Sequence, residues 1–175
     1  MNYTNLEERF KPFVQKIIDD NKRFYQFNNE IKWGFFVNQD KSVIASINAI
    51  CELKINIVAV LHAFKIDQLI MIEFFILHEI RHIYQRLYIN SNESNKELAE
   101  KYKYEFENYC SPQQNLKEYY SQQIEFEAYI FSYSVIIYKY GKINYISYPD
   151  FYDEQDINVK EYVKKWIQLF STMNL

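Results

Sequence analysis

The chain contains three histidines, and two of them, His78 and His82, are four residues apart in the segment HEIRH. An α-helix turns by about 100° per residue, so side chains at this spacing lie on one face and can bind the same metal ion. Glu79 points further round the helix, where it is a poor ligand but can reach a water molecule beside the metal. The pattern therefore predicts a zinc site with Glu79 as general base.

The residues around HEIRH favour a buried helix. From Asp67 to about Tyr88, apolar side chains surround most of the predicted helix, which is typical of a helix in the core. Burying two histidines, a glutamate and Arg81 together costs on the order of several kcal/mol unless they are paired or bound to a metal. The alternative is a helix end at which these residues only form hydrogen bonds.

A third metal ligand is needed, because a catalytic zinc ion normally takes three from the protein. His62, the remaining histidine, follows a predicted strand, and we expect it at the strand end or in a substrate cleft rather than on the metal. Glu125 is the better candidate. It borders the packed face of a later helix beside Ala128, whose small side chain allows two helices to approach closely. Otherwise Glu125 is a solvated charge on a helix.

Two further roles stay open at this stage. Glu127 points further round the same helix, where it either accepts a hydrogen bond from a ligand histidine and fixes its tautomer, or is an ordinary solvated charge. Hydrolysis also needs a donor to the developing oxyanion. The chain has seventeen tyrosines, so the sequence does not choose among the candidates, which are Tyr119, Tyr120, Tyr133, His62 and Arg81.

The segments HEIRH and EFEAYIFS together resemble the gluzincin group of zinc metallopeptidases. They are most similar to small single-domain members, such as ImmA/IrrE-type peptidases and metallopeptidases of phages and mobile elements. The resemblance covers roughly residues 5–140. It implies one zinc ion per chain, held by His78, His82 and Glu125, with Ala128 and Phe131 matching the residues after the family's third ligand.

The resemblance has one departure and one implied mechanism. Related families carry an acidic or amide group that supports a ligand histidine at the position of Tyr129, so Glu127 is the candidate to replace it, and Tyr129 is a further candidate for action near the metal. A peptide or protein substrate is implied, lying as an added strand along the third strand at the sheet edge. Glu79 would act first as base and then as proton donor to the leaving amine.

The elements that must position these residues are expected to be mostly helical, since the chain has only two Gly and three Pro. We predict an α+β fold with a small antiparallel sheet of three or more strands packed on the active-site helix, a minimal zincin-like domain. A single domain is expected over residues 1–175, with the C-terminal helix 158–172 packed on it. Pro12 predicts that the first helix starts late or kinks. The expected elements are helices at 4–24, 67–88, 95–109, 113–140 and 158–170, and strands at 31–37, 41–50 and 52–62.

The composition of the chain argues against two classes of binding partner, nucleic acids and membranes. The net charge of −3 and the lack of a basic patch argue against nucleic acid. No apolar run is long enough to span a bilayer, and the N-terminal segment is not a secretory signal, so we expect a cytoplasmic protein without a membrane partner. The oligomeric state is open. Two alternatives to an enzyme are a catalytically silent binding or regulatory protein of the same fold, and a helical protein whose motif is accidental.

Overall fold

The structure is a computed structural model that describes residues 3–92 and 95–173, and it is α+β and mostly helical. The helices are α1 Tyr3–Asn21, α2 Ile57–Lys65, α3 Leu69–Ile89, α4 Lys96–Glu107, α5 Leu116–Ser121, α6 Gln123–Tyr140, α7 Phe151–Glu154 and α8 Val159–Thr172. The strands are β1 Trp33–Phe36, β2 Ala45–Ile47 and β3 Leu53–Asn56, and a 3₁₀ turn covers Lys22–Phe24. None of the described helices is both long and apolar enough to cross a membrane.

Contacts group the chain into two compact units, Met1–Ile80 and Arg81–Leu175. The division falls inside α3, which is one uninterrupted helix and carries the whole HEIRH segment. The predicted helix at 67–88 is therefore confirmed, with both ends shifted by one or two residues.

In the first unit, α1 buries the apolar stripe Phe10, Val14, Ile17 and Ile18. The expected late start is wrong, because the helix already includes Tyr3 and continues through Pro12. Pro12 is exposed. Because proline has no N–H, one backbone carbonyl in the preceding turn lacks its helical hydrogen bond. Water can bind that carbonyl at this exposed position, which lowers the free-energy cost of proline inside the helix.

The small sheet differs from the sequence prediction in two ways, the orientation of its strands and the position of the third strand. Its strand order is β1-β3-β2, with β1 parallel to β3 and β2 antiparallel to β3, so the sheet is mixed and not antiparallel. The third strand is also not an edge, because β3 is hydrogen-bonded on both sides. A peptide cannot add to it as a further strand, and only β1 and β2 lie at the edges.

The third strand ends earlier than its β-branched sequence predicts, because Asn56 turns the chain into α2. Its side-chain oxygen accepts from the N–H of Val58 at 3.1 Å and so caps the helix. The amide group donates to three backbone carbonyls, those of Asn38, Asp40 and Val43. Asn56 is fully buried, and this network outweighs the strand preference of Ile57 and Val58. His62 consequently lies in α2 and not at a strand end.

In the second unit, α6 is buried on most of its surface and packs against α4, α5 and α8. The aromatic rings of Phe131 on α6 and Trp166 on α8 meet edge to face, with centroids 5.2 Å apart, and Phe170 completes this contact. The expected C-terminal helix is confirmed, and Asn158 caps it by accepting from the N–H of Glu161. Gly141, with a φ of 73°, ends α6.

The helix predicted over 113–140 is interrupted at Gln122, whose backbone is extended with a ψ of 132°. The Gln122 side chain bonds both backbone groups of Cys110 at 3.0 Å. These bonds hold Gln122 in the extended conformation, and a new helix begins at Gln123. Leu116, which the continuous helix would have buried, is exposed as a result.

Candidate metal centre

Three predicted ligands come together in the structure. His78, His82 and Glu125 each offer one ligand atom, and these atoms all lie within 4.8 Å of one another. Their side chains belong to α3 and to the first turn of α6, and the residues are only 3%, 6% and 1% exposed. An ionised carboxylate buried this deeply is stabilised by a positive charge beside it, which a metal ion or a protonated histidine can provide.

The spacing of the donor atoms fits a zinc ion. Nε2 of His82 lies 3.3 Å from Oε1 of Glu125. Zinc binds nitrogen and oxygen at about 2.0–2.2 Å in tetrahedral geometry, which places neighbouring donors about 3.4 Å apart. Two imidazoles and one carboxylate are also a ligand set that catalytic zinc sites use. The types of the three residues and the one short donor distance are therefore compatible with zinc.

Cross-links between α3 and α6 set this spacing. Arg81 donates to Glu127 at 3.1 Å, and the side-chain amide of Gln85 donates to the backbone carbonyl of Ile124 at 3.0 Å. Arg81, His82 and Gln85 follow one another along α3, whereas their respective partners on α6 come in the reverse order, Glu127, Glu125 and Ile124. The two helices are therefore antiparallel here. Three contacts within two turns fix the register that brings Glu125 to His82.

Gln85 also orients the His82 ring. Its side-chain oxygen lies 2.8 Å from Nδ1 of His82, and the residue is fully buried. An amide oxygen only accepts hydrogen bonds, so Nδ1 carries the proton and Nε2 keeps its lone pair on the side of Glu125. Such a partner raises the basicity of a metal-binding histidine and fixes its tautomer. Sequence reasoning missed Gln85, although its position three residues after His82 on one helix was a usable signal.

Glu105 fixes the start of α6. Its two carboxylate oxygens accept from the backbone N–H groups of Gln123 at 3.0 Å and Ile124 at 2.9 Å. Gln122 occupies the cap position but makes no capping bond with its own side chain, so a carboxylate from α4 replaces it. Ile124 is thus held through its N–H by Glu105 and through its carbonyl by Gln85. Glu125, the next residue, inherits a fixed position.

Hydroxyl groups line the carboxylate of Glu125. Tyr109 donates to Oε1 of Glu125 at 3.0 Å, and its side chain is partly exposed. Tyr119 is buried beside the same carboxylate, and burial followed by the negative charge of Glu125 raises the pKa of Tyr119 far above its usual value. Tyr119 therefore stays a neutral hydrogen-bond donor at any physiological pH. Tyr119 is one of the five candidates that remain open from the sequence, whereas Tyr109 is not among them.

Among the described residues, Glu127 forms its hydrogen bonds with side chains other than the two histidines of HEIRH. It accepts hydrogen bonds from Arg81, from Tyr102 and from Gln123. Within the described residues, Gln85 makes the histidine contact that was expected of Glu127. Arg81 is correspondingly engaged: besides Glu127 it stacks on Tyr84, with the guanidinium 4.1 Å from the ring centre, so it is held in a packed aromatic site.

The remaining candidates lie as follows. Glu79 is half-buried on α3 next to His78 and outside the three-donor group, as its position round the helix predicts. Tyr120 and Tyr129 meet edge to face with ring centres 5.7 Å apart, in an aromatic cluster with Tyr152. Burial, followed by the neighbouring hydroxyl of Tyr120, raises the pKa of Tyr129 well above its usual value. Both rings therefore contribute packing next to the site.

Comparison with known proteins gives no match to this chain among protein-family models, curated proteins or solved structures. The resemblance to gluzincins thus rests on the residues of the HEIRH and EFEAYIFS segments.

Proposed function

We propose that this protein is a zinc-dependent peptidase with a zincin-like fold, in which His78, His82 and Glu125 hold one zinc ion and Glu79 is the general base. The observation that carries the proposal is the position of Glu125, which comes from a separate helix to within 3.3 Å of the second histidine of the HEIRH segment. A hydrogen-bonded pair would account for His82 and Glu125 alone, whereas a metal ion would account for the grouping of all three residues, His78 included.

The residues would divide the work of hydrolysis. When bound, zinc supplies Lewis acidity that polarises a carbonyl group and lowers the pKa of water to about 7. The Glu79 carboxylate accepts the proton of the attacking water molecule and delivers it to the leaving amine. The Tyr109 hydroxyl donates to Glu125 at 3.0 Å, and by turning its proton away from that carboxylate it would stabilise an oxyanion close to the ligands. Gln85 keeps His82 in the tautomer that binds metal.

A second function is favoured by the deep burial of the three ligands. Closed zinc sites are usually structural, whereas catalytic sites keep one position open to water. With ligands only 1–6% exposed, the alternative is a protein that holds zinc but acts as a catalytically silent binding or regulatory module. The two functions differ in whether an exogenous ligand can reach the metal.

The test is metal content combined with proteolysis. We expect one zinc per purified chain by elemental mass spectrometry, lost in His78→Ala. Glu79→Gln is the matched variant, because it removes the base but keeps shape and ligands. Cleavage of a mixed peptide library, read by mass spectrometry, should be present in the wild type and absent in Glu79→Gln that retains zinc.

The other outcomes decide between the alternatives. Zinc in both proteins without cleavage by either, together with a cobalt-substituted spectrum that azide does not change, would replace the enzyme by the silent module. A wild-type chain that folds without zinc and gains no stability from added zinc would leave a helical protein with an accidental motif.

A further inference from the structure

A groove on the second unit lies apart from the metal ligands. It has a volume of about 530 Å³ and runs between α6 and α8, next to the segment that follows Gly141. Its apolar floor includes Ile137 of α6 with Val163 and Ile167 of α8. The part on α6 begins about 12 Å further along that helix than Glu125, at 1.5 Å per residue. A ligand in this groove would therefore leave the zinc site open.

Three lysines line the groove, and their arrangement is regular. Lys160 and Lys164 are four residues apart on α8, directly beside the apolar row that contains Val163 and Ile167, and Lys142 also lines the groove. Successive lysines of this row are about 6 Å apart, because four residues advance a helix by that distance. The surface thus has an apolar row and a parallel row of positive charge.

The groove itself is lined by three cations, and the acidic side chains Asp153 and Asp156 line an adjoining pocket together with Lys160. None of the three groove lysines forms an ion pair with another described residue. The groove lining, which includes Lys142, Lys160 and Lys164, contains no acidic side chain. Lys165 on the same helix differs, since it pairs with Glu161 at 2.9 Å. Positive charge therefore borders an apolar groove in a chain whose net charge is −3.

We propose that this groove binds an amphipathic helix of a partner protein that carries acidic residues at i and i+4 beside its apolar face. Helices dock into grooves of this kind through apolar side chains at i, i+3, i+4 and i+7. Carboxylates at i and i+4 are also about 6 Å apart, which matches the row of Lys160 and Lys164. A fatty acid offers one carboxylate and matches one lysine, and a second copy of this chain offers no described helix with that pattern on an exposed apolar face.

The test uses a fluorescein-labelled amphipathic helical peptide with leucine on one face and glutamate at i and i+4 along its border. We expect saturable binding by fluorescence anisotropy, weakened as salt rises from about 0.05 M to about 0.5 M. The same peptide with lysine in place of glutamate should not bind. In the full-length protein, Lys160→Glu/Lys164→Glu should weaken binding at least about tenfold.

The matched control is Lys96→Glu/Lys103→Glu on α4, which makes the same change in net charge on an exposed helix and should leave affinity within about twofold. Thermal melting confirms that each variant is folded. Equal binding by the two double variants would overturn the proposal. So would displacement of the peptide by laurate at concentrations below micelle formation, or a dimer in sedimentation that Lys160→Glu/Lys164→Glu abolishes.

Discussion

The side-chain oxygen of Gln85 lies 2.8 Å from Nδ1 of His82, while Nε2 of the same ring faces Glu125 at 3.3 Å. The imidazole is therefore held from one side and directed toward the carboxylate on the other. The amide of Gln85 also donates to the carbonyl of Ile124, which precedes Glu125. One buried residue thus orients one proposed ligand and anchors the backbone beside another.

Replacing Gln85 should separate these two effects. Gln85→Leu removes both contacts and should lower zinc affinity by about 10–100-fold, as for other partners of ligand histidines. Gln85→Glu keeps an acceptor for Nδ1 but places a carboxylate against the Ile124 carbonyl, so it should retain more affinity and lose more stability. Competition with a zinc-binding dye and thermal melting measure the two quantities. Equal zinc affinity in all three proteins would show that Gln85 does not orient His82.

Tyr109→Phe tests the proposed oxyanion donor. Removing one such donor typically lowers kcat by about 10²–10³-fold. Zinc affinity should fall by about 10–100-fold at most, because the hydroxyl supports the proposed ligand Glu125 at 3.0 Å without being a ligand itself. The measurement is kcat on a cleaved library peptide beside zinc content. Tyr104→Phe, on the exposed side of α4, is the control and should keep full activity. A Tyr109→Phe enzyme with unchanged kcat would transfer the role to another residue.

Glu105→Ala should loosen the start of α6. Loss of a cap typically lowers the free energy of unfolding by about 0.5–2 kcal/mol. Because the capped N–H groups belong to Gln123 and Ile124, next to Glu125, we also expect weaker zinc binding. Glu107→Ala on the same helix is the control, since Glu107 is exposed and its closest cation, Lys103, is 3.9 Å away. Urea unfolding with and without zinc distinguishes a change in the site from a general loss of stability.

The sequence singles out the three residues that we propose as zinc ligands, but not the residues that position them. The spacing of His78 and His82 follows from helical geometry alone, and Glu125 follows from its place on the border of a packed face. Glu105 acts through contacts between different helices, and no local pattern reveals these. Asn56 ended the third strand because its polar side chain found four backbone partners, which the alternating pattern of β-branched residues could not show.

The Arg81–Glu127 pair should be costly to break and inexpensive to replace. The guanidinium and carboxylate are 3.1 Å apart, and their side chains are 8% and 18% exposed. Removing one partner of a largely buried pair typically destabilises a protein by about 3–5 kcal/mol, because the other charge stays buried. We expect this for Arg81→Met alone. Arg81→Met/Glu127→Gln should recover much of the loss, and a double-mutant cycle by urea unfolding measures the coupling.

The same double variant tests whether the pair sets the helix register. If it does, Arg81→Met/Glu127→Gln should fold stably but bind zinc more weakly than the wild type. Full zinc affinity in the double variant would assign the register of α3 against α6 to Gln85 instead.

Tyrosines buried on folding should make the protein sensitive to alkaline pH. Burial is the first cause that raises the pKa of Tyr25, Tyr102 and Tyr152 well above their ordinary value of about 10. Below pH 10 each is protonated in both states, so stability does not depend on it. Above pH 10 the unfolded chain loses these protons and the folded chain keeps them. The free energy of unfolding should then fall by up to about 1.4 kcal/mol per pH unit for each tyrosine.

Tyr152→Phe provides the decisive variant. The Tyr152 side chain is fully buried in an aromatic cluster, and its hydroxyl forms no hydrogen bond with the described residues. Removing an unsatisfied buried hydroxyl should raise the free energy of unfolding at pH 7 by about 1 kcal/mol. Above pH 10 the free energy of unfolding should fall less steeply with pH than in the wild type. The variant has one tyrosine fewer that is ionised in the unfolded chain and protonated in the folded chain. Tyr145→Phe, at an exposed position, should change neither quantity in urea unfolding across this pH range. A Tyr152→Phe protein that is less stable at pH 7 would mean that the hydroxyl stabilises the fold, and the burial argument for this tyrosine would fail.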